Sequence, residues 1–246
     1  MSGHSKWSTI KRKKEAADKK RGKIFTRLIR EITIAAREGG GDPEANPRLR
    51  TAVDNAQTQN MPKDNIKRAI QRGTGELPGM VIEEHLYEGY GPGGVAVIVE
   101  TISDNNNRTT SEIRHLFDKY DGHLAKSGAA SYSFDRRGLI VIDGSTDEDL
   151  LMEVALEAGA LDIITDEDAF EVLTEYNDYH QVNEALNRAG FKILESSLAY
   201  IPQNEIRLDD DDDGEKVLKL LEALEEQDDV QNVYTNYDIP DDVEFD

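Results

Sequence analysis

The spacing of the apolar residues changes at Gly73, and this change constrains the fold more than any other feature. Before Gly73, apolar residues recur at helical intervals in three stretches, which begin near Ile24, Leu49 and Ile66. After it, from His85 onward, short runs rich in Val, Ile and Tyr alternate with helical stretches. Intervals of three and four residues indicate amphipathic helices, and short β-branched runs indicate strands. We therefore expect an N-terminal helical bundle followed by α/β modules.

The first α/β module is predicted to be incomplete as it stands in the sequence. A hairpin at 85–90 and 95–102 precedes a helix with a capping box at Thr109 and Glu112, and a strand follows near 131–134. These elements lack the second helix of a ferredoxin-like unit.

The second module reads strand, helix, strand, strand, helix, strand from residue 139 to residue 201, which is the ferredoxin-like order. The tail that follows has one helix and one strand, which cannot bury an apolar face alone, so we expect it to complete the first module. The predicted fold class is α+β: an N-terminal helical bundle followed by two ferredoxin-like modules, the first discontinuous. The predicted domains are 1–79, 80–134 plus 208–246, and 135–207.

Charge is strongly segregated along the chain. Residues 1–72 hold 18 Lys and Arg against 8 Asp and Glu, whereas residues 73–246 hold 11 against 42, and the whole chain has a formal charge of −21. Cations that contact phosphates supply most of the sequence-independent affinity for nucleic acid. A basic end on an acidic body therefore predicts that nucleic acid binds at that end only.

The candidate contacts are the cations of the basic N-terminal domain and one aromatic residue. Trp7 could stack on an unpaired base or anchor packing, and charge runs are often merely solvated faces. Lys63 and Lys67, like Arg68 and Arg72, lie four residues apart on the third helix. The predicted nucleic-acid-binding residues are Lys6, Trp7, Lys11, Arg12, Lys13, Lys14, Lys19, Lys20, Arg21, Lys23, Arg48, Arg50, Lys63, Lys67 and Arg68.

Motifs for other chemistries fail in their context. The chain has no Cys, and its 5 His show no metal-ligand spacing. Gly89, Gly91 and Gly94 match G-x-G-x-x-G, but a strand-like run follows where a dinucleotide site needs a helix. Ser103–Asn105 and 126–128 (Lys-Ser-Gly) approximate two motifs of serine acyl-transferases, but only about twenty residues separate them. We predict a non-enzymatic protein with no catalytic residue, metal, cofactor or small-molecule substrate.

No run approaches the roughly 18 apolar residues of a transmembrane helix, and the N-terminus has no apolar signal region. We expect a cytoplasmic protein that does not contact membranes.

Five segments in order carry a resemblance to a known family: 3–7 (Gly-His-Ser-Lys-Trp), 20–23 (Lys-Arg-Gly-Lys), 39–50, 87–94 and 103–109. Together they resemble the YebC/PmpR family of probable transcriptional regulatory proteins. The resemblance spans nearly the whole chain and is sharpest through Thr109. It implies a three-domain α/β architecture with an N-terminal helical bundle, a cytoplasmic location and no known catalytic activity.

The resemblance also implies regulation of gene expression through nucleic acid. Some relatives are described as DNA-binding transcription regulators, whereas others, including a mitochondrial translational activator of cytochrome c oxidase, act on the ribosome and help synthesis through proline-rich stretches. Our leading hypothesis is a DNA-binding transcriptional regulator. The alternative is a ribosome-associated translation factor that binds ribosomal RNA, and the second alternative is an acidic protein-interaction module. The charge pattern fits DNA and RNA equally.

Overall fold

The computed structural model describes residues 21–79, 81–165, 168–208 and 211–238. Its helices are α1 Arg21–Gly39, α2 Pro47–Thr58, α3 Lys63–Gly73, α4 Asn106–Lys119, α5 Glu148–Glu157, α6 Tyr179–Arg188 and α7 Asp211–Glu226. Its strands are β1 Glu83–Tyr90, β2 Ala96–Ser103, β3 His123–Leu124, β4 Phe134–Asp143, β5 Ala160–Thr165, β6 Ala169–Glu175, β7 Ile193–Pro202 and β8 Val230–Thr235. These elements form two compact units: the described residues up to Asp135 with those from Ile201 onward, and Arg136–Tyr200.

Helices α1, α2 and α3 form the predicted helical bundle in the first unit. Its core contains Ile32, Leu49 and Ile66, which sit at the helical intervals seen in the sequence. The buried Asn46 caps α2: its Oδ1 accepts the Leu49 N–H at 3.0 Å, while its Nδ2 donates to the carbonyl of Ala35 at 2.8 Å. This cap ties the start of α2 to the end of α1.

A four-stranded sheet in the order β3-β1-β2-β8 completes the first unit. β1 and β2 form the predicted hairpin, with Leu86 opposite Glu100. β8 pairs antiparallel with β2, with Val97 opposite Thr235, so the C-terminal tail supplies the last strand. Helix α7 buries Leu220 and Leu224, and it contacts both α4 and β8. The predicted return of the tail to the discontinuous module is confirmed.

The second unit has the ferredoxin-like element order β4-α5-β5-β6-α6-β7, with its sheet in the order β5-β6-β4-β7. Ile140, Val172 and Leu186 lie in its core. The two sheets correspond position by position, because α4 follows β2 as α5 follows β4, and α7 precedes β8 as α6 precedes β7. The α+β fold class is confirmed, whereas the three domain boundaries stay a prediction.

Two local predictions are wrong. Helix α4 starts three residues before the predicted capping box, since Asn105 caps it by accepting the Arg108 N–H at 3.1 Å. The predicted strand near 131–134 is a 3-10 turn, Ser131–Ser133, that leads directly into β4. The N–H of Ser131 bonds to the Glu88 carboxylate at 2.8 Å, so this N–H does not pair with a neighbouring strand.

No helix in the described part of the chain is both long enough and apolar enough to cross a lipid bilayer.

Gly89→Ala is expected to destabilise the first unit by about 1–3 kcal/mol, because the sheet has no room for a side chain there. An added Cβ would lie 2.5 Å from the Phe117 ring and 2.7 Å from the His123 carbonyl oxygen. Urea unfolding followed by circular dichroism measures the change. The control is Gly22→Ala in α1, where an added Cβ would meet no atom of the described residues within 4 Å apart from its chain neighbours and the backbone of its own helix. Equal stability of the two variants would contradict the close packing of β1 on α4.

Candidate nucleic-acid interface

The predicted contacts divide between residues that the structure describes and residues that lie outside it. Lys6, Trp7, Lys11, Arg12, Lys13, Lys14, Lys19 and Lys20 lie outside the described residues, and Arg21 is the first residue of α1. The remaining predicted contacts are Lys23, Arg48, Arg50, Lys63, Lys67 and Arg68.

Helix α3 presents an exposed row of cations. Its buried residues, Ile66 and Ala69, face the bundle core, so Lys63, Lys67 and Arg68 point to solvent, as does Arg72 one turn further on. Within the described ranges, none of these four cationic side chains has a hydrogen-bond or ion-pair partner. Their charges are therefore free to attract a polyanion.

Lys23 makes an internal contact, because it lies on the face of α1 that contacts the end of α7. Lys23 and Arg27 donate to the carbonyls of Glu226 and Glu225, and Arg30 donates to the carbonyl of Asp228 at 2.6 Å. The last carbonyls of a helix lack intrahelical partners and carry partial negative charge. Lys23 and Arg27 therefore cap α7, and together with Arg30 they hold the bundle against the C-terminal tail.

Arg48 is surrounded by carboxylates. Its guanidinium bonds to Glu31 at 2.9 Å, to Glu38 at 2.7 Å and also to Glu84. Burial lowers the pKa of Arg48, but the hydrogen bonds of Glu84 and Glu31 outweigh it and leave the pKa raised. A phosphate at Arg48 would have to compete with these carboxylates, so its role in binding stays a prediction.

Arg50 shapes the connection between α1 and α2. Its Nε donates to the Pro43 carbonyl at 3.1 Å, and its Nη2 donates to the Glu44 carbonyl at 2.9 Å. The structure thus brings Lys63, Lys67 and Arg68 together on one helix, and it places Lys23, Arg48 and Arg50 in separate internal contacts.

The buried carboxylate of Asp229 joins the bundle to the sheet, and sequence reasoning missed it. Asp229 is 1% exposed. Its Oδ2 accepts the hydroxyls of Ser103 at 2.9 Å and Thr109 at 2.7 Å, and the Arg108 guanidinium at 2.7 Å. Its Oδ1 lies 3.0 Å from the Arg30 guanidinium.

This network gives the residues of segment 103–109 a structural role. Ser103 and Thr109 hold Asp229, while Asn105 caps α4. Burial raises the pKa of Asp229, but the hydrogen bonds from Thr109, Arg108 and Ser103 and the charge of Arg30 outweigh it, so the pKa is lowered. The carboxylate is therefore ionised at neutral pH. The spacing of Lys23, Arg27 and Arg30 places them on one face of a helix, which could have indicated a contact with an acidic or carbonyl-rich surface. Nothing in the sequence indicated that Asp229 is the buried partner.

An open cleft of ≈ 590 Å³ lies beside this network. Arg30 and Arg108 line it, but both are paired to Asp229, and four further acidic residues also line it: Asp104, Glu112, Glu226 and Asp228. The excess of carboxylates makes the cleft unsuitable for phosphate. No group of His, Asp or Glu among the described residues could hold a metal ion.

A helical bundle followed along the chain by two four-stranded sheets whose strands correspond position by position defines the class of this α+β protein. Two family models cover most of the chain: the TACO1/YebC protein N-terminal domain matches residues 5–76, and the TACO1/YebC second and third domain matches residues 82–237. The chain belongs to the TACO1/YebC family, which confirms the family expected from the sequence.

Relatives and a solved structure agree with this membership over nearly the full length. A probable transcriptional regulatory protein of Desulfotalea psychrophila is 57% identical over 240 residues, covering 97% of this chain and 96% of the relative. One from Geobacter sulfurreducens is 56% identical over 239 residues, covering 97% and 96%. The crystal structure of a conserved hypothetical protein from Aquifex aeolicus is similar with a TM-score of 0.85 and 47% identity, covering 91% of this chain and 93% of that one.

Asp229→Ala is expected to destabilise the first unit by about 3–5 kcal/mol, because it leaves two arginines and two hydroxyls without their shared acceptor. Denaturant unfolding measures this loss. The control is Asp228→Ala, whose side chain is 82% exposed and lies 4.0 Å from Lys23, and whose effect should stay below about 1 kcal/mol. A loss of similar size in both variants would show that the network does not hold the unit together.

Stability is expected to fall in acid as Asp229 takes up a proton. A carboxyl group whose pKa is lowered by folding stabilises the folded state at pH values above the ordinary aspartate pKa of about 3.9. This stabilisation is lost as the pH falls through the lowered pKa of the folded state. Unfolding free energies of the wild type and Asp229→Asn, measured from pH 7 to pH 3, test this. The two curves should converge toward low pH, and parallel curves would exclude an ionised Asp229.

Proposed function

We propose that this protein is a nucleic-acid-binding regulator of gene expression that binds phosphates through its N-terminal bundle and has no enzymatic activity. Curated relatives at 54–57% identity are named probable transcriptional regulatory proteins, which supports DNA as the nucleic acid and transcription as the process. The proposal places the protein in the cytoplasm and assigns no membrane, metal or cofactor to it.

The observation that carries the proposal is the row of free cations on α3. Lys63, Lys67, Arg68 and Arg72 are exposed and lack partners among the described residues, whereas other cations of the bundle, including Arg30 and Arg48, are engaged in ion pairs. Residues 73–246 carry 42 acidic against 11 basic residues, so they repel phosphate. A polyanion is thereby directed to the bundle.

The buried network also supports a non-enzymatic role. Ser103 begins the segment 103–105 that approximates an acyl-transferase motif, and it is buried and bonds to Asp229, so it is not exposed to a substrate. Lys126 and Ser127 lie on the surface. Within the described residues, Ser103 is therefore held by Asp229, while Lys126 and Ser127 belong to a separate surface segment.

The double variant Lys63→Glu/Lys67→Glu is expected to weaken DNA binding and to reduce its salt dependence. Each lost phosphate contact lowers the slope of log affinity against log salt by roughly 0.9, so the slope should become shallower by about 2. Fluorescence anisotropy with a labelled 20-base-pair duplex at several salt concentrations measures both quantities.

The matched control is Arg188→Glu/Lys192→Glu, which changes the net charge equally but lies in the acidic second unit. It should leave the slope unchanged. Equal effects of both double variants would show that net charge and not the α3 surface governs binding. A wild type that binds ribosomal RNA but no DNA would replace the transcriptional proposal with the translation alternative.

A further inference from the structure

A buried carboxylate anchors one surface loop of the first unit. Glu88 on β1 is 3% exposed, and it accepts the N–H groups of Gly128 at 2.7 Å, Ala130 at 2.7 Å and Ser131 at 2.8 Å. We call residues 126–132 the Glu88-anchored loop. In the described part of the chain, no Lys, Arg or His forms an ion pair with this carboxylate.

Burying a carboxylate costs free energy unless hydrogen bonds compensate it, and here the loop backbone supplies those bonds. Burial raises the pKa of Glu88, but the three backbone hydrogen bonds and that of the Ser131 side chain outweigh it, so the pKa is lowered and the group stays charged. A buried charge that is balanced only by hydrogen bonds fixes the backbone that donates them. The loop is therefore held rigid.

Tyr90 fixes the same loop from the next position on that face of β1. Its hydroxyl donates to the Ala129 carbonyl, and its ring packs on His123 with 5.6 Å between centroids. Burial raises the pKa of the Tyr90 hydroxyl, and the neighbouring Tyr132 raises it further. Two side chains of one strand thus determine where the loop lies.

The groups that this rigid loop presents to solvent are a cation, a hydroxyl and an aromatic ring. Lys126 and Ser127 are exposed, and the Tyr132 side chain is 72% exposed. The exposed Tyr132 ring contributes little to the core. Exposed aromatic rings beside cations are the usual means of binding single-stranded nucleic acid, since every base has a face that stacks.

We infer that the Glu88-anchored loop is a second nucleic-acid contact, in which Tyr132 stacks on an unpaired base and Lys126 contacts the adjoining phosphate. This inference rests on the proposed function in taking nucleic acid as the partner, but it concerns single strands and a surface separate from α3. Duplex DNA keeps its bases stacked, so the loop adds affinity only where bases are unpaired.

The first test measures binding of the full chain to a labelled 12-nucleotide single-stranded DNA, to the RNA of the same sequence and to a duplex. Tyr132→Ala should weaken single-strand binding roughly 5- to 150-fold, which corresponds to the loss of one stacked base. Tyr132→Phe keeps the ring and should stay within about threefold of the wild type, and duplex binding should be unchanged in both variants. Comparison of the two single strands tells whether the loop prefers DNA or RNA.

The second test does not depend on affinity. Oligonucleotides that carry 5-iodouracil are cross-linked to the full-length wild type by light and the attached tryptic peptides are sequenced. The expected peptide is 127–136, which contains Tyr132. It should disappear in Tyr132→Ala and persist in Tyr132→Phe.

The outcomes separate this inference from the proposed function. If single strands bind with unchanged affinity in Tyr132→Ala and cross-link only to the N-terminal bundle, the loop is not a contact, while the proposed function stands. If the wild type binds no nucleic acid at physiological salt, both this inference and the proposed function fail. Binding of a partner protein that is lost in Tyr132→Ala would then show that the loop is a protein interface. Circular dichroism of each variant confirms that the fold is intact.

Discussion

The interaction on which the first unit depends is the buried carboxylate of Asp229. It lies between α7 and β8, and its four donors come from α1, from the end of β2 and from α4. A single charge thus fixes the N-terminal bundle, the central strand of the sheet and the C-terminal tail relative to each other. Because the charge is buried, removing any donor exposes the carboxylate to an unfavourable environment, which makes the junction cooperative.

This junction divides the cations of the bundle into two groups with different physical roles. Arg27 and Arg30 lie where α1 meets the tail, and their charges are balanced by carbonyls and carboxylates of the same unit. The cations of α3 have no such partners in the described residues. Positive charge in the sequence is therefore not equal to positive charge available for binding, and under the proposed function the cations of α3 are the ones left to bind phosphate.

Periodicity in the sequence predicted the three bundle helices, the hairpin and the tail, since these follow from local spacing and from the need to bury an apolar face. It did not predict the Asp229 network, whose partners are separated from it by more than a hundred residues. The capping box failed for a related reason: Thr109 fits the local motif, but its hydroxyl bonds to Asp229. Of the predicted contacts, the sequence could not distinguish the paired Arg48 from the unpaired Lys67, because that difference arises only in tertiary structure.

Around Gly89, strand β1 packs against α4 on one face and holds the Glu88-anchored loop on the other. Side chains alternate between the two faces of a strand, so Glu88 and Tyr90 point to one face and Gly89 to the other. Gly89 allows Phe117 of α4 to pack directly on the sheet, while Glu88 and Tyr90 hold the loop on the opposite face. Of the glycines that match the dinucleotide motif, Gly89 is therefore required by close packing, whereas Gly94 has a positive φ of 77° in the turn that follows β1. The polar residues that flank Gly89 fix the loop, because a buried charge can maintain a defined surface where apolar contacts are too few to do so.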